Sequence, residues 1–169
     1  MNDKISLEEA KSIRLSRNFT LDEFIKSDVA MRKGIDNSIP RKYLIRLQYL
    51  VTTVLQPIRD VFGPIRITSG YRCPELAIAI GSTIHSNHTY GLAVDIEPHN
   101  GNTRLSSILE YIHNNLEYKE LIGEYFPNGW VHVAAENGNN KKVLKLKDST
   151  HNYELVTLED IMGSYSTVA

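Results

Sequence analysis

Ser86-Asn87-His88-Thr89-Tyr90-Gly91-Leu92-Ala93-Val94-Asp95-Ile96-Glu97 is the stretch that decides the fold, because it passes from a polar loop into strict alternation. Leu92, Val94 and Ile96 point one way and Ala93, Asp95 and Glu97 the other, the pattern of a strand with one face in a core. Asp95 is expected to face away from that core. Gly91 lets the backbone turn just before the strand, so His88 can fold back towards Asp95. Residues 130–135 alternate in the same way, with Val131, Val133 and Ala135 inward and Trp130, His132 and Ala134 outward. If the two strands lie side by side, His132 joins Asp95, and Ala93 and Ala134 leave room for an ion. Two imidazoles and one carboxylate suit Zn²⁺, and three protein ligands leave a fourth position open, as in catalytic zinc sites. A lone strand histidine is more often structural, and a lone aspartate after an apolar residue is usually solvated. The combined pattern, Ser-x-His-x-x-Gly-x-Ala-x-Asp followed by Trp-x-His, is what singles out His88, Asp95 and His132.

Outside these two strands the chain reads as one domain. Its 169 residues are enough to bury one sizeable core. With 41% hydrophobic and 23% charged residues it has an ordinary globular composition, which argues against disorder and against a membrane protein. A formal net charge of −1 gives no reason to expect nucleic-acid binding. The single cysteine, Cys73, allows no intramolecular disulfide and reads as a structural thiol. Residues 1–17 show little apolar periodicity after Leu7 and are expected to form a mobile arm or a short surface helix outside the core. No apolar run of signal-peptide length begins the chain, so synthesis in the cytoplasm is expected, with export by lysis or by assembly into a phage particle.

Thr20-Leu21-Asp22-Glu23 has the form of a capping box and predicts a short helix to about Ser27. Pro40 fits the start of a long amphipathic helix over 41–62, with Leu44, Leu47, Val51, Val54, Leu55, Ile58 and Phe62 on one face. Pro57 predicts a kink or break in it. A strand is expected over 65–69, a turn over 70–74, a short helix to about Ile80, and a polar loop over 81–88. Thr103 is the expected cap of a helix ending at Asn115, with Leu105, Ile108, Leu109 and Ile112 inward. Strands follow over 121–125 and 130–135, joined by Phe126-Pro127-Asn128-Gly129. Residues 143–146 add an edge strand, and Thr157 caps a last helical turn over 158–162.

Taken together, Ser69-Gly70-Tyr71-Arg72-Cys73-Pro74-Glu75-Leu76, the two ligand motifs, Asn18-Phe19-Thr20-Leu21-x-Glu23-Phe24 and Met31-Arg32-Lys33-Gly34-Ile35-Asp36-Asn37 resemble the zinc D-alanyl-D-alanine carboxypeptidase-like family of murein peptidases, particularly its small phage-associated members. The resemblance implies an α+β fold of the Hedgehog/D,D-peptidase kind, an antiparallel sheet flanked by helices with a zinc cleft on one face. It implies a catalytic domain over 18–147 and a C-terminal tail over 148–169. It makes His88, Asp95 and His132 the zinc ligands and Arg72 a catalytic and substrate-anchoring residue. Ser86 and Asn87 become substrate-binding or ligand-orienting residues. Many members place an acid three positions before the last ligand, where this chain has Gly129. The general base is therefore assigned to Glu124, further upstream, with Glu136 second because it shares the phase of His132. His85 competes with His88 by spacing alone, and His99, His113 and His151 are assigned surface roles.

The implied partner is a peptidoglycan peptide, cleaved at an amide bond by a phage endolysin or a virion-associated hydrolase, with virion proteins as further partners and neither nucleic acid nor membrane involved. Gly129 keeps a second reading open, a virion structural or wall-binding protein without turnover. A bacterial D-Ala-D-Ala dipeptidase or carboxypeptidase is a third.

Overall fold

A computed structural model describes residues 3–99, 101, 103–140, 142–147 and 152–163. The strands are β1 (Lys4–Ile5), β2 (Ile39–Pro40), β3 (Ile65–Ser69), β4 (Ala93–Pro98), β5 (Glu120–Glu124), β6 (Trp130–Ala134), β7 (Val143–Lys147) and β8 (Tyr153–Leu155). The helices are α1 (Leu7–Ala10), α2 (Asp22–Ile25), α3 (Asp28–Lys33), α4 (Leu44–Leu50), α5 (Gln56–Phe62), α6 (Pro74–Ala79), α7 (Leu105–Asn115) and α8 (Leu158–Gly163). Six strands form one sheet in the order β3-β4-β6-β5-β7-β8, and β1 pairs with β2 apart from it. The fold is α+β, as expected, and its sheet is antiparallel except where β5 runs parallel to β7. The strand over 143–147 is not the sheet's edge, because β8, from the expected tail, pairs outside it.

Alternation along the strands splits the sheet into two faces. Val94, Ile96, Leu121, Val131, Val133 and Leu144 enter the hydrophobic core with Leu105, Ile108, Leu109 and Ile112 of α7. Each fully buried aliphatic side chain contributes about 1.5–3 kcal/mol relative to exposure. The helix begins at Leu105 with Arg104 ahead of it and no side-chain cap there, so Thr103 is not its cap. Asp95, His132, Ile122 and Lys145 lie side by side across the opposite face, and Trp130, Glu124, Lys147 and Tyr153 form the next row. The site is built on these two rows.

The long helix over 41–62 passes through Pro57 without breaking. A wide π turn over Val51–Leu55 precedes α5, and the Gln56 N–H bonds back to the Val51 carbonyl. Proline lacks a donor and its ring crowds the preceding turn, so a widened turn there accommodates it. Thr52 and Thr53 hydroxyls donate to the Gln48 and Tyr49 carbonyls at 2.8 and 2.7 Å. Leu47, Leu50, Val51, Val54, Leu55 and Ile58 remain buried throughout.

The N-terminal expectation is corrected. Ile5, Ala10 and Leu15 are buried in the core, Ile5 faces Ile39 across the β1–β2 pair, and the Leu15 N–H bonds the Phe19 carbonyl at 2.9 Å. These apolar residues come from a strand, a helix and a loop in succession, so no single period marks them in the sequence. At the other end α8 packs on α7 and buries Ile161, so the described part of the tail also belongs to the folded unit.

Candidate active site

His88 sits in a short 3-10 turn over Asn87–Tyr90, where the Ser86 hydroxyl accepts from the His88 N–H at 3.3 Å and the turn closes at Gly91 with φ 68°. Its ring is oriented from behind, because Nδ1 donates to the Gly70 carbonyl at 2.7 Å and leaves the Nε2 lone pair facing the cluster. Gly70 has no room for a side chain. A Cβ there would lie 2.3 Å from the Phe24 carbonyl oxygen, and this close approach to α2 places the carbonyl that His88 uses.

Asp95 and His132 are directly opposite on β4 and β6, beside the Ala93–Ala134 pair, as the alternation predicts. His132 Nδ1 lies 2.9 Å from Asp95 Oδ1 and 3.2 Å from His88 Nε2, and His88 Nε2 lies 3.3 Å from Asp95 Oδ1. All three side chains are buried, and one ligand atom from each lies within 4.8 Å of the others. Two imidazole nitrogens and a carboxylate oxygen converging in this way match the borderline ligand set that zinc prefers, so the residues fit the ion. His85 lies outside this group. Its Nδ1 is 3.5 Å from the Tyr90 hydroxyl.

The charges around the cluster reinforce it. Burial opposes ionisation of Asp95, but His88 and His132 outweigh it and hold the carboxyl well below the usual range. Burial pushes His88 down. It acts on His132 in the same direction, but Asp95 and Glu120 prevail and raise that ring to about 9. Glu120 Oε1 is 3.7 Å from His132 Nε2; the His132 ring, then Lys145 at 2.8 Å, draw its pKa down to about 2 against the effect of burial. Sequence reasoning missed Glu120. It precedes Ile122 and Glu124 at strand spacing, so starting β5 one residue earlier finds it.

Arg72 donates from Nη2 to Asp95 Oδ2 at 2.6 Å and from Nε to Ser69 Oγ at 2.8 Å. Its fork therefore holds the ligand that faces it, a contact the sequence did not disclose. The turn carrying Arg72 is pinned by buried Asn37, which donates to the Tyr71 carbonyl at 3.0 Å and accepts from the Cys73 N–H at 2.7 Å. Cys73 is buried and accepts from the Leu76 N–H at the start of α6, in keeping with a structural thiol. His113 is not simply a surface residue, since its Nδ1 pairs with the hydroxyl of buried Tyr118 at 2.6 Å. His99 lines a groove along β3, and His151 lies outside the described residues.

An open cleft of about 770 Å³ lies over the cluster, and Arg72, Ser86, Asn87, Glu120 and Glu124 all line it. Glu136 does not; β6 ends at Ala134, the alternation stops, and Glu136 instead pairs with Lys119 at 2.8 Å beside a separate concavity. Gly129 is required by the hairpin. A Cβ there would fall 1.9 Å from the Glu124 carbonyl oxygen, so the turn admits no acid at that position and brings it against the backbone of Glu124.

A family model described as Peptidase M15 matches residues 17–134, more than two thirds of the chain. The protein belongs to the peptidase M15 family. M15 peptidases are zinc-dependent, and the family assignment together with the buried His88-Asp95-His132 cluster supports a metallopeptidase. No curated protein matches the sequence. The M15 match ends at the last residue of β6, so β7 and β8, which supply Lys145, Lys147 and Tyr153 to the cleft, lie beyond it.

Proposed function

We propose that this M15 peptidase cleaves amide bonds in peptidoglycan stem peptides or cross-links, acting at the bacterial wall as a phage endolysin or as a component of a phage particle. The observation that carries the reading is the buried His88-Asp95-His132 cluster at the base of a cleft that also contains Arg72 and Glu124. The peptidoglycan and phage assignments rest on the resemblance of the sequence motifs to small phage-associated murein peptidases.

In this reading His88, Asp95 and His132 hold zinc. When bound, zinc supplies Lewis acidity, polarising an amide carbonyl and acidifying water towards a pKa of about 7. Glu124 accepts the proton of the attacking water and returns it to the leaving amine, a role that requires it within about 3 Å of that proton or one water away. Arg72 keeps Asp95 in place through Oδ2 and offers positive charge to a substrate carbonyl or carboxylate at the cleft wall. Ser86 holds the His88 turn, and Asn87 beside it meets the substrate in the cleft.

Purified, zinc-loaded protein incubated with purified peptidoglycan is expected to release fragments whose masses identify the cleaved bond. Glu124→Gln is expected to keep zinc and fold while losing about 10²–10⁴-fold in rate. A wild type that binds zinc and releases nothing overturns the hydrolase reading in favour of a structural or wall-binding role, for which Gly129 is the specific observation.

A further inference from the structure

We propose that Lys147, on a strand beyond the family-matched segment, is a positioning residue for Glu124 and that the β7–β8 hairpin is thereby part of the reacting machinery. The inference rests on the assignment of Glu124 as general base. Lys147 Nζ lies 3.0 Å from Glu124 Oε2, and the two side chains are only 14% and 9% exposed. Oε2 itself is fully buried and makes no aligned hydrogen bond, so the ammonium charge is what neutralises it there. The part of Glu124 that meets the cleft is therefore the remainder of its side chain.

The lysine is held by its neighbours across the sheet. Glu124 and Lys147 are register partners in the parallel β5–β7 pair, and the Tyr125 N–H bonds the Lys147 carbonyl at 2.8 Å. The ammonium lies 4.8 Å from the Tyr153 ring centroid and 5.4 Å from that of Tyr125. Burial acts to lower the lysine pKa, but Tyr153 and Glu124 raise it above the ordinary range, so the group stays charged. Lysines usually sweep through many rotamers, and this one is confined between two rings and a carboxylate.

The ion pair is more than a strut between strands because of what else shares its face. Trp130, Glu124, Lys147 and Tyr153 are successive neighbours across the sheet, in the row next to Asp95 and His132. A carboxylate that takes a proton from water must be ionised and held at one distance, and misplacement by about 1 Å can cost about 10²-fold in rate. Lys147, itself part of the cleft wall, secures both conditions through the buried Oε2, without itself touching the reacting atoms.

A double-mutant cycle on the zinc-loaded full chain tests this. Lys147→Met, which keeps the length of the side chain, is expected to lower kcat by about 10- to 100-fold with little change in KM or zinc content, and to lower the melting temperature because the buried Glu124 oxygen loses its counter-charge. Lys147→Arg is expected to restore most of the loss, and adding Lys147→Met to Glu124→Gln is expected to cost nothing further. An unchanged kcat in Lys147→Met overturns the inference. So does a loss that persists undiminished in the Glu124→Gln background, even if Glu124 is the base. Wild-type kcat in Glu124→Gln alone overturns the general-base assignment and, with it, the reason for Lys147. If Lys147→Met fails to fold, Lys147→Arg and Lys147→Gln, compared at equal zinc content, decide between the same outcomes.

Discussion

Arg72 is fixed by two contacts that only a planar fork can make together, Nε to Ser69 and Nη2 to Asp95. Arg72→Lys retains the charge but can satisfy only one of them. It is therefore expected to weaken zinc retention as well as turnover, both measurable by metal analysis and peptide hydrolysis on one preparation; full zinc content at wild-type rate assigns the fork no role. His132 yields a second expectation. Asp95 and Glu120 lift its pKa to about 9, while His88 is pushed down and Asp95 remains ionised. A ligand imidazole must be neutral, so below about pH 9 zinc has to displace one proton from His132. Apparent zinc affinity should then rise by about tenfold per pH unit and level off above about pH 9. Chelator competition across pH 6.5–9.5 measures the slope, and a flat profile rejects it. His132→Ala should lose the ion altogether.

The hairpin between β5 and β6 shows how an element can reassign a function. Its turn brings Gly129 against the Glu124 carbonyl so closely that no side chain fits. Gly129→Ala is therefore expected to destabilise the fold by about 2–4 kcal/mol, and Gly129→Asp to give no gain in activity. Denaturant unfolding of the alanine variant measures the first, and a neutral result means that the turn can open. The same hairpin sets Glu124 opposite Trp130, two residues along from the Ile122–His132 pair and on the same face, so the acid missing from the turn has a counterpart on the adjoining strand.

At the scale of the whole molecule, the N-terminal segment closes the core that supports α2 and, through Gly70, the ring of His88. Ile5 and Leu15 are fully buried at 0% and 1% exposure, so neither can be removed without leaving a cavity. Ile5→Ala and Leu15→Ala are each expected to cost about 2–5 kcal/mol, and deletion of residues 1–17 should abolish a cooperative melt. Thermal unfolding followed by circular dichroism checks both, and an unchanged melting temperature would return the segment to the status of an arm.

The sequence alone determined the strands that carry the site and the side of each strand that its ligands occupy. Alternation has a period of two residues, and Asp95 and His132 each stand in phase with a core-facing set that is easily read, whereas Glu124 shares its face with apolar Ile122 and is reached only through the family resemblance. The main helix was legible for the same reason, since seven apolar residues repeat at helical spacing. Tertiary structure decided the rest. The tie from Arg72 to Asp95, Glu120 behind His132, Lys147 beside Glu124 and Ile5 against Ile39 each join residues far apart in the chain. No local period records such contacts, because they depend on which strands become neighbours and in what register. The exclusion of an acid from position 129 is of the same kind: a glycine in a turn-rich linker looks permissive, and only the carbonyl packed against it makes it obligatory.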